Sequence, residues 1–277
     1  MAAADNGCHA FHVQTPSQWL FSTHGGTGKH RHSVRRARRG QAMKLLAFDT
    51  STELMSVAVQ RTVSGVCQTW QHSGEGGAKT SIQLIPVIQD LMRQADLQFG
   101  ELDAIAFGRG PGSFTGLRTA CSVAQGLAFG AQLKVLPIDT LLALAEEARF
   151  QFAPTQDRYQ VTALLDARMD EMYLADYAFR GGQWAQSGDY ELIRPEALQG
   201  DAQRLLAGNV CASYAARLPA ALTQRFNALP TATALLRLAP ALLAGGAALE
   251  PAQALPLYLR DKVAQTTLER AAQKGVL

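Results

Sequence analysis

The sequence predicts an α/β fold of two related lobes, each a mixed sheet flanked by helices. Three observations carry this reading. An apolar run ending in an acid occurs twice, at Lys44–Asp49 (KLLAFD) and Val161–Asp166 (VTALLD), the pattern of a buried strand with a carboxylate at its tip. Each run is followed by an alternating segment, Met55–Gln60 or Met172–Phe179, that pairs naturally with it. The composition, 47% hydrophobic and 18% charged over 277 residues, suffices for a sizeable core and argues against global disorder.

The elements follow in order. After the strand Lys44–Asp49, Thr50–Glu53 is a polar turn. Met55–Gln60 is a second strand and Val66–Gln71 a third, beyond the turn at Ser64-Gly65. Gly74–Gly77 reads as a flexible loop, and Ser81 is placed to cap a helix running to Ala95. Ala104–Gly108 is a strand, and the glycine-rich loop Gly108–Gly116 leads into a helix to Gly130. Lys134–Ile138 is a strand, and Thr140 starts a helix to Phe150. The order β-β-β-α-β-α-β-α describes a mixed sheet led by an antiparallel meander.

Phe152–Asp157, with Pro154, reads as the boundary between a first lobe (43–150) and a second (151–277). The second lobe repeats the strand ending in an acid and turns at Gly181-Gly182. After Pro195 it becomes Ala/Leu-rich and helical, with a short strand near Leu205–Gly208. Thr231–Leu243 is a helix that Pro240 kinks. Leu255–Ala264 closes the ordered part, and the C-terminal segment is expected to pack back on the first lobe.

Charge is unevenly spread. Residues 1–42 hold six basic residues against Asp5, which leaves 20 basic and 22 acidic residues for the body. The basic balance therefore belongs to that stretch and does not make the body a nucleic-acid binder. Its Gly25-Gly26-Thr27-Gly28-Lys29 fails as a phosphate loop, because Thr23 and His30 stand where Gly and Ser/Thr are needed. The run Arg31–Arg39 has the composition of a targeting peptide or a nucleic-acid arm. The plainer expectation is a disordered or non-native extension, since Met43 opens a clean strand pattern, and residues 1–42 are set aside from the fold.

Several chemistries are poorly supported. Five of six histidines lie before Met43, so the body, with His72 alone, cannot supply a two-histidine site. The four cysteines are far apart and form no CxxC pair, which fits a reducing compartment. HxxxH and GxSxG are absent, so no metal and no nucleophile-elbow hydrolase is expected. No run of about 18 apolar residues is free of charge or Gly/Pro breaks.

The most informative segment is Gly108–Arg118 (GRGPGSFTGLR). A glycine-rich loop entering a helix exposes backbone N–H groups and makes an anion site, with Arg109 and Arg118 adding positive charge. The same glycines equally serve close packing of helix on sheet, and both readings stand. Asp49 and Asp166, one per lobe, are placed to hold magnesium on a nucleotide, or else are ordinary strand-end aspartates. Asp49, Thr50, Ser51, Gly110, Gly112, Ser113 and Asp166 thus form a candidate vestigial nucleotide or anion site. Glu53, adding negative charge where a phosphate would sit, weakens it.

The helix Ser81–Ala95 carries Ile82, Leu84, Ile85, Val87, Ile88, Leu91, Met92 and Ala95 over roughly 220° at about 100° per residue. One sheet face needs only somewhat more than about 100°. The surplus implies a second buried contact, either another helix of this chain or a partner subunit. The next helix offers Leu117, Ala120, Cys121 and Ala124, mostly small residues that allow close approach. The edges of the arc are Ile82, Ile85 and Met92 on one side and Val87 on the other.

These residues resemble a known family. Lys44–Val59, Gly108–Arg118, Gln125–Ala128, Ala163–Tyr173 (ALLDARMDEMY) and Pro256–Ala264 (PLYLRDKVA), in order, are similar to TsaB, also called YeaZ. The resemblance implies the two-lobed actin/Hsp70-like (ribonuclease H-like) fold. It implies a non-catalytic scaffold in the cytoplasm, needed for threonylcarbamoyladenosine formation next to the anticodon of tRNA. The scaffold would pair through its first-lobe helices with the catalytic paralogue TsaD and with the ATPase TsaE, meeting tRNA only through the complex. A homodimer in isolation stays open; no cofactor, metal or membrane contact is implied. Relatives often carry a histidine before the first-lobe helix where this chain reads Ala78-Lys79-Thr80. The competing readings are an ATP-dependent small-molecule kinase or transferase of the same fold, resting on Asp49 and Asp166, and a metallopeptidase, which the single body histidine opposes.

Overall fold

The computed structural model describes residues 12–14, 43–63, 65–200 and 202–260. The Gly25–Lys29 stretch, the run Arg31–Arg39 and the closing segment from Asp261 onward lie outside them.

β2 (Lys44–Asp49) is apolar on both faces because both are covered: Leu46 and Phe48 face one core cluster, Leu45 and Ala47 another. β3 (Leu54–Val63) and β4 (Val66–Glu75) complete the antiparallel meander. β5 (Ala104–Gly110) and β6 (Val135–Asp139) join on the other side of β2, parallel, in the order β4-β3-β2-β5-β6. Parallel neighbours need crossovers, and α1 (Thr80–Gln94) and α2 (Phe114–Ala131) supply them on one face of the sheet.

Two local expectations are corrected. Gly74–Gly77 is not a flexible loop: β4 runs on to Glu75 with Gly74 opposite Met55, and only the 3₁₀ turn Gly77–Lys79 separates strand from helix. Ser81 is not the cap of α1, because that turn feeds directly into a helix that starts at Thr80. Ser113 does cap α2, its hydroxyl accepting from the Gly116 N–H.

The second sheet repeats the plan of the first. β7 (Arg158–Arg168), β8 (Glu171–Arg180) and β9 (Gln183–Ile193) form the meander, and β10 (Leu206–Gly208) and β11 (Arg225–Asn227) add in parallel beside β7. At the far edge β1 (His12–Gln14) lies parallel to β9, a strand inside the stretch that the sequence reading set aside. The expected helical text after Pro195 is instead turns around one short helix, α4 (Val210–Tyr214). Leu198, Val210, Tyr214, Leu218 and Leu222 from these turns cover Leu164, Met172 and Leu174 on the outer sheet face. A cap of irregular backbone serves here because the patch to be covered is small.

Between the two sheets lie α3 (Thr140–Phe152) and α5 (Ala232–Ala244), capped by Thr231, whose hydroxyl accepts from the Ala234 N–H. α5 packs on β2, β3 and β5, and α3 on β7, so one core joins the lobes. The layers are α1/α2, first sheet, α3/α5, second sheet and the irregular cap. α3 is buried on all sides from Thr140 to Arg149; the charges Glu146, Glu147 and Arg149 lie within that buried stretch.

These charges are paired. The Glu146 carboxylate accepts from Arg149 Nε and Nη2 at 3.1 Å, Arg237 Nε at 2.9 Å and Trp184 Nε1 at 3.0 Å. Glu147 accepts from Arg237 at 2.5 Å and from Thr231 at 2.7 Å. Burial pushes the Glu147 carboxyl up, but the Arg237 charge and these hydrogen bonds outweigh it and hold it below the usual glutamate range.

Candidate functional site

The structure brings most of the predicted site together. Asp49 ends β2 with no exposure; its Oδ1 accepts from the Ser51 N–H at 2.9 Å and the Ser51 hydroxyl at 2.6 Å. Its Oδ2 points inward at Gly108, where an added Cβ would lie 1.7 Å away, and makes no hydrogen bond. Thr50 donates its hydroxyl to the Gly116 carbonyl at 2.7 Å, and the Ser113 N–H donates to the Ser51 carbonyl at 2.7 Å. A Cβ on Gly116 would lie 1.8 Å from the Thr50 carbonyl, and one on Gly112 2.5 Å from the Ser51 carbonyl. The glycines thus let the loop lie against the strand tip. These close approaches are what the packing reading of the loop requires.

The arginines are also engaged. Arg109 Nε donates to Asp139 at 2.5 Å, and the Arg109 carbonyl accepts from the Leu257 N–H at 2.7 Å. Arg118 lies over the Phe114 ring at 3.8 Å and donates to the Tyr258 hydroxyl at 3.1 Å. Segment 254–260 is therefore a strap: the Ala254 carbonyl accepts from Gln125 at 3.0 Å, and Arg260 pairs with Glu171 on β8.

Asp166 sits on β7, and its carboxylate is occupied: Oδ1 accepts from the Tyr214 hydroxyl and the Arg168 N–H at 2.8 Å, and Oδ2 pairs with Arg168. Asn209 joins the halves, accepting from the Asp166 N–H at 3.0 Å and donating to Glu53 at 3.2 Å. Asp49 and Asp166 therefore do not present two free carboxylates to one ligand. The sequence reading missed Asn209 and Asp139; a single Asn after a short strand and an Asp before a helix carry no local signal of a long-range partner.

Burial pushes the Asp49 carboxyl up to about 6, against the opposing pull of the Ser51 hydroxyl and N–H. A raised folded-state value contributes stability that is full below the unfolded value near 3.8 and is lost as pH rises through about 6. The expected loss is about 3 kcal/mol, at 1.36 kcal/mol per unit. Asp49→Asn should remove this dependence. Urea unfolding at pH 4 and pH 8 should show wild type losing that much relative to the variant; parallel profiles would mean that Asp49 is solvated.

The predicted interface residues divide. Leu84, Ile88, Leu91, Met92, Leu117, Ala120, Cys121 and Ala124 are buried between α1, α2 and the sheet, and so are core rather than partner surface. The physical reason is that α1 packs on β3, β4 and α2 at once, which consumes most of its wide arc. Val87 is half-buried against the same cluster. The outward edge is Ile82, 77% exposed, and Ile85, 42% exposed, with Phe129 of α2 81% exposed on the same helical layer. Among the described residues no helix is long and apolar enough to cross a membrane.

Comparison with known proteins adds the following. The family model described as tRNA N6-adenosine threonylcarbamoyltransferase (TsaD) matches residues 75–274. The tRNA threonylcarbamoyladenosine biosynthesis protein TsaB of Haemophilus influenzae is 35% identical over 236 residues, 80% of this chain and 96% of that protein. TsaB of Escherichia coli is 31% identical over 233 residues, with the same coverage. The solved structure of YeaZ from Pseudomonas aeruginosa is 38% identical and superposes with a TM-score of 0.68, over 78% of this chain and 100% of that one.

Proposed function

The chain belongs to the TsaB family of tRNA threonylcarbamoyladenosine biosynthesis proteins, and from that premise we propose that it is the scaffold, not the catalyst, of this modification. It acts in threonylcarbamoyladenosine formation on tRNA. In this reading it works in the cytoplasm, pairs with the catalytic paralogue TsaD, joins the ATPase TsaE, and meets tRNA through the complex. The observation that carries the pairing is the apolar outer face of α1 and α2, where Ile82, Ile85 and Phe129 stand in solvent while Leu84, Ile88, Leu91, Leu117 and Ala124 of the same helices are buried inside. Isolated large side chains on a surface are ordinary; three on adjacent helices are the makings of an interface. The Asp166 carboxylate, held by the Tyr214 hydroxyl and by Arg168, supports a non-catalytic role.

The test is reconstitution. Threonylcarbamoyl transfer to tRNA should need this chain together with TsaD and TsaE, and the chain alone with the activated threonylcarbamoyl donor should transfer nothing. Transfer by the chain alone would overturn the scaffold reading.

A further inference from the structure

The second sheet ends in a notch whose chemistry is unmet. β7 begins at Arg158, but β10 joins it only from Thr162, so the first residues of β7 overhang their neighbour. A cavity of about 490 Å³ opens there. Arg158 and Arg180 line it, directly opposite each other in the β7–β8 register. Like charges so placed repel, yet neither guanidinium has an ion pair or side-chain hydrogen bond among the described residues, and the adjacent Asp157 pairs with neither.

The opposite wall is aromatic. Phe152 and Phe226 lie with ring centroids 4.2 Å apart and planes inclined by 35°, and Phe152 is 43% exposed. Between these features stands Tyr159. Its ring is buried edge-on against Trp184 on the core side of the sheet, and its buried hydroxyl has no hydrogen-bond partner among the described residues. Burial pushes that hydroxyl up to about 12, so it stays a donor at every ordinary pH.

We propose that this notch binds a nucleoside monophosphate. The phosphate lies against Arg158 and Arg180, whose planar forks match its oxygens. The base lies against Phe152 and Phe226, since any base offers a face to stack. The cavity falls within the usual range of small-ligand sites and suits one nucleotide rather than a chain of them. The notch lies on the second sheet, apart from the strand tips and from the α1/α2 face, and the proposal is independent of the scaffold reading.

Calorimetric titration of the full chain with adenosine monophosphate, adenosine and inorganic phosphate tests it. The monophosphate should bind at micromolar to low-millimolar concentration, and adenosine and phosphate at least ~10-fold more weakly, because each offers half of the recognition. Arg158→Gln and Arg180→Gln, both on the exposed side of the sheet, should leave the unfolding midpoint unlowered and each weaken the monophosphate about 10-fold or more. The assignment falls if the monophosphate does not bind at millimolar concentration, or if the Arg158→Gln/Arg180→Gln double variant binds it unchanged. It falls equally if phosphate alone binds as tightly as the monophosphate.

Discussion

Replacing Glu146 by alanine is expected to lower the unfolding free energy by about 3–5 kcal/mol, the cost of breaking a buried ion network from one side. Glu146 has no solvent exposure and is the shared acceptor for Arg149, Arg237 and Trp184. Without it, Arg237 keeps Glu147, but Arg149, 4% exposed, loses its carboxylate partner in the core while still donating to the Pro154 carbonyl and lying over the Phe179 ring. Desolvated cations that lose their counter-ion are far costlier than a lost exposed pair. The double variant Glu146→Leu/Arg149→Met should lose less than Glu146→Ala alone, because it removes charge on both sides. Urea unfolding at neutral pH is the measurement. A single-variant loss below about 1 kcal/mol would mean that water reaches the network and that the apolar contacts alone hold α3 between the sheets.

Ile85→Glu is expected to leave the fold intact and weaken binding to TsaD by about 30-fold or more, the effect of losing an interface anchor worth about 2 kcal/mol. The side chain is 42% exposed in the free chain, so a carboxylate there stays hydrated until a partner covers it. Val87→Glu is the contrast: that side chain packs on the core with Leu84 and Ile88 on the same helix, and its replacement should unfold the first lobe rather than spare it. Circular dichroism separates the two outcomes, and a binding titration reads the affinity. Unchanged affinity for a folded Ile85→Glu protein would move the interface away from α1.

The strands were legible because their physics is local. KLLAFD is apolar at every position that two covered faces require, and Lys44–Asp49 is β2 without adjustment. The repeat of the plan was legible from the second run ending in Asp166 and from its hairpin. The turns after Pro195 were not, because Ala and Leu favour helix wherever nothing opposes them, and here the need to cover Leu164, Met172 and Leu174 overrides propensity. At the candidate site the residue set around Asp49–Ser51 and Gly112–Gly116 was found, but not its use. Whether a glycine faces a ligand or a carbonyl depends on what approaches it from far along the chain. The arc of α1 was counted correctly, yet the count could not say that α2 would consume most of it. Glu146 escaped notice because a Glu-Glu-x-Arg step on a helix reads as a solvated face until the second sheet closes over it.

The position of α5 bears on how the chain comes off the ribosome. One face of the first sheet, including Leu45, Ala47 and Ala58, is covered by a helix at residues 232–244, almost two hundred residues downstream of β2. Synthesis proceeds at about 5–20 residues per second, so that face waits on the order of ten seconds for its lid. During that interval an emerging first lobe is a half-covered sheet, attractive to any chaperone that binds apolar strands. A protease should cut arrested nascent chains that end before residue 232 in the first lobe and spare those in which 244 has cleared the tunnel. Vectorial synthesis thus delivers the lobes in order but completes them together.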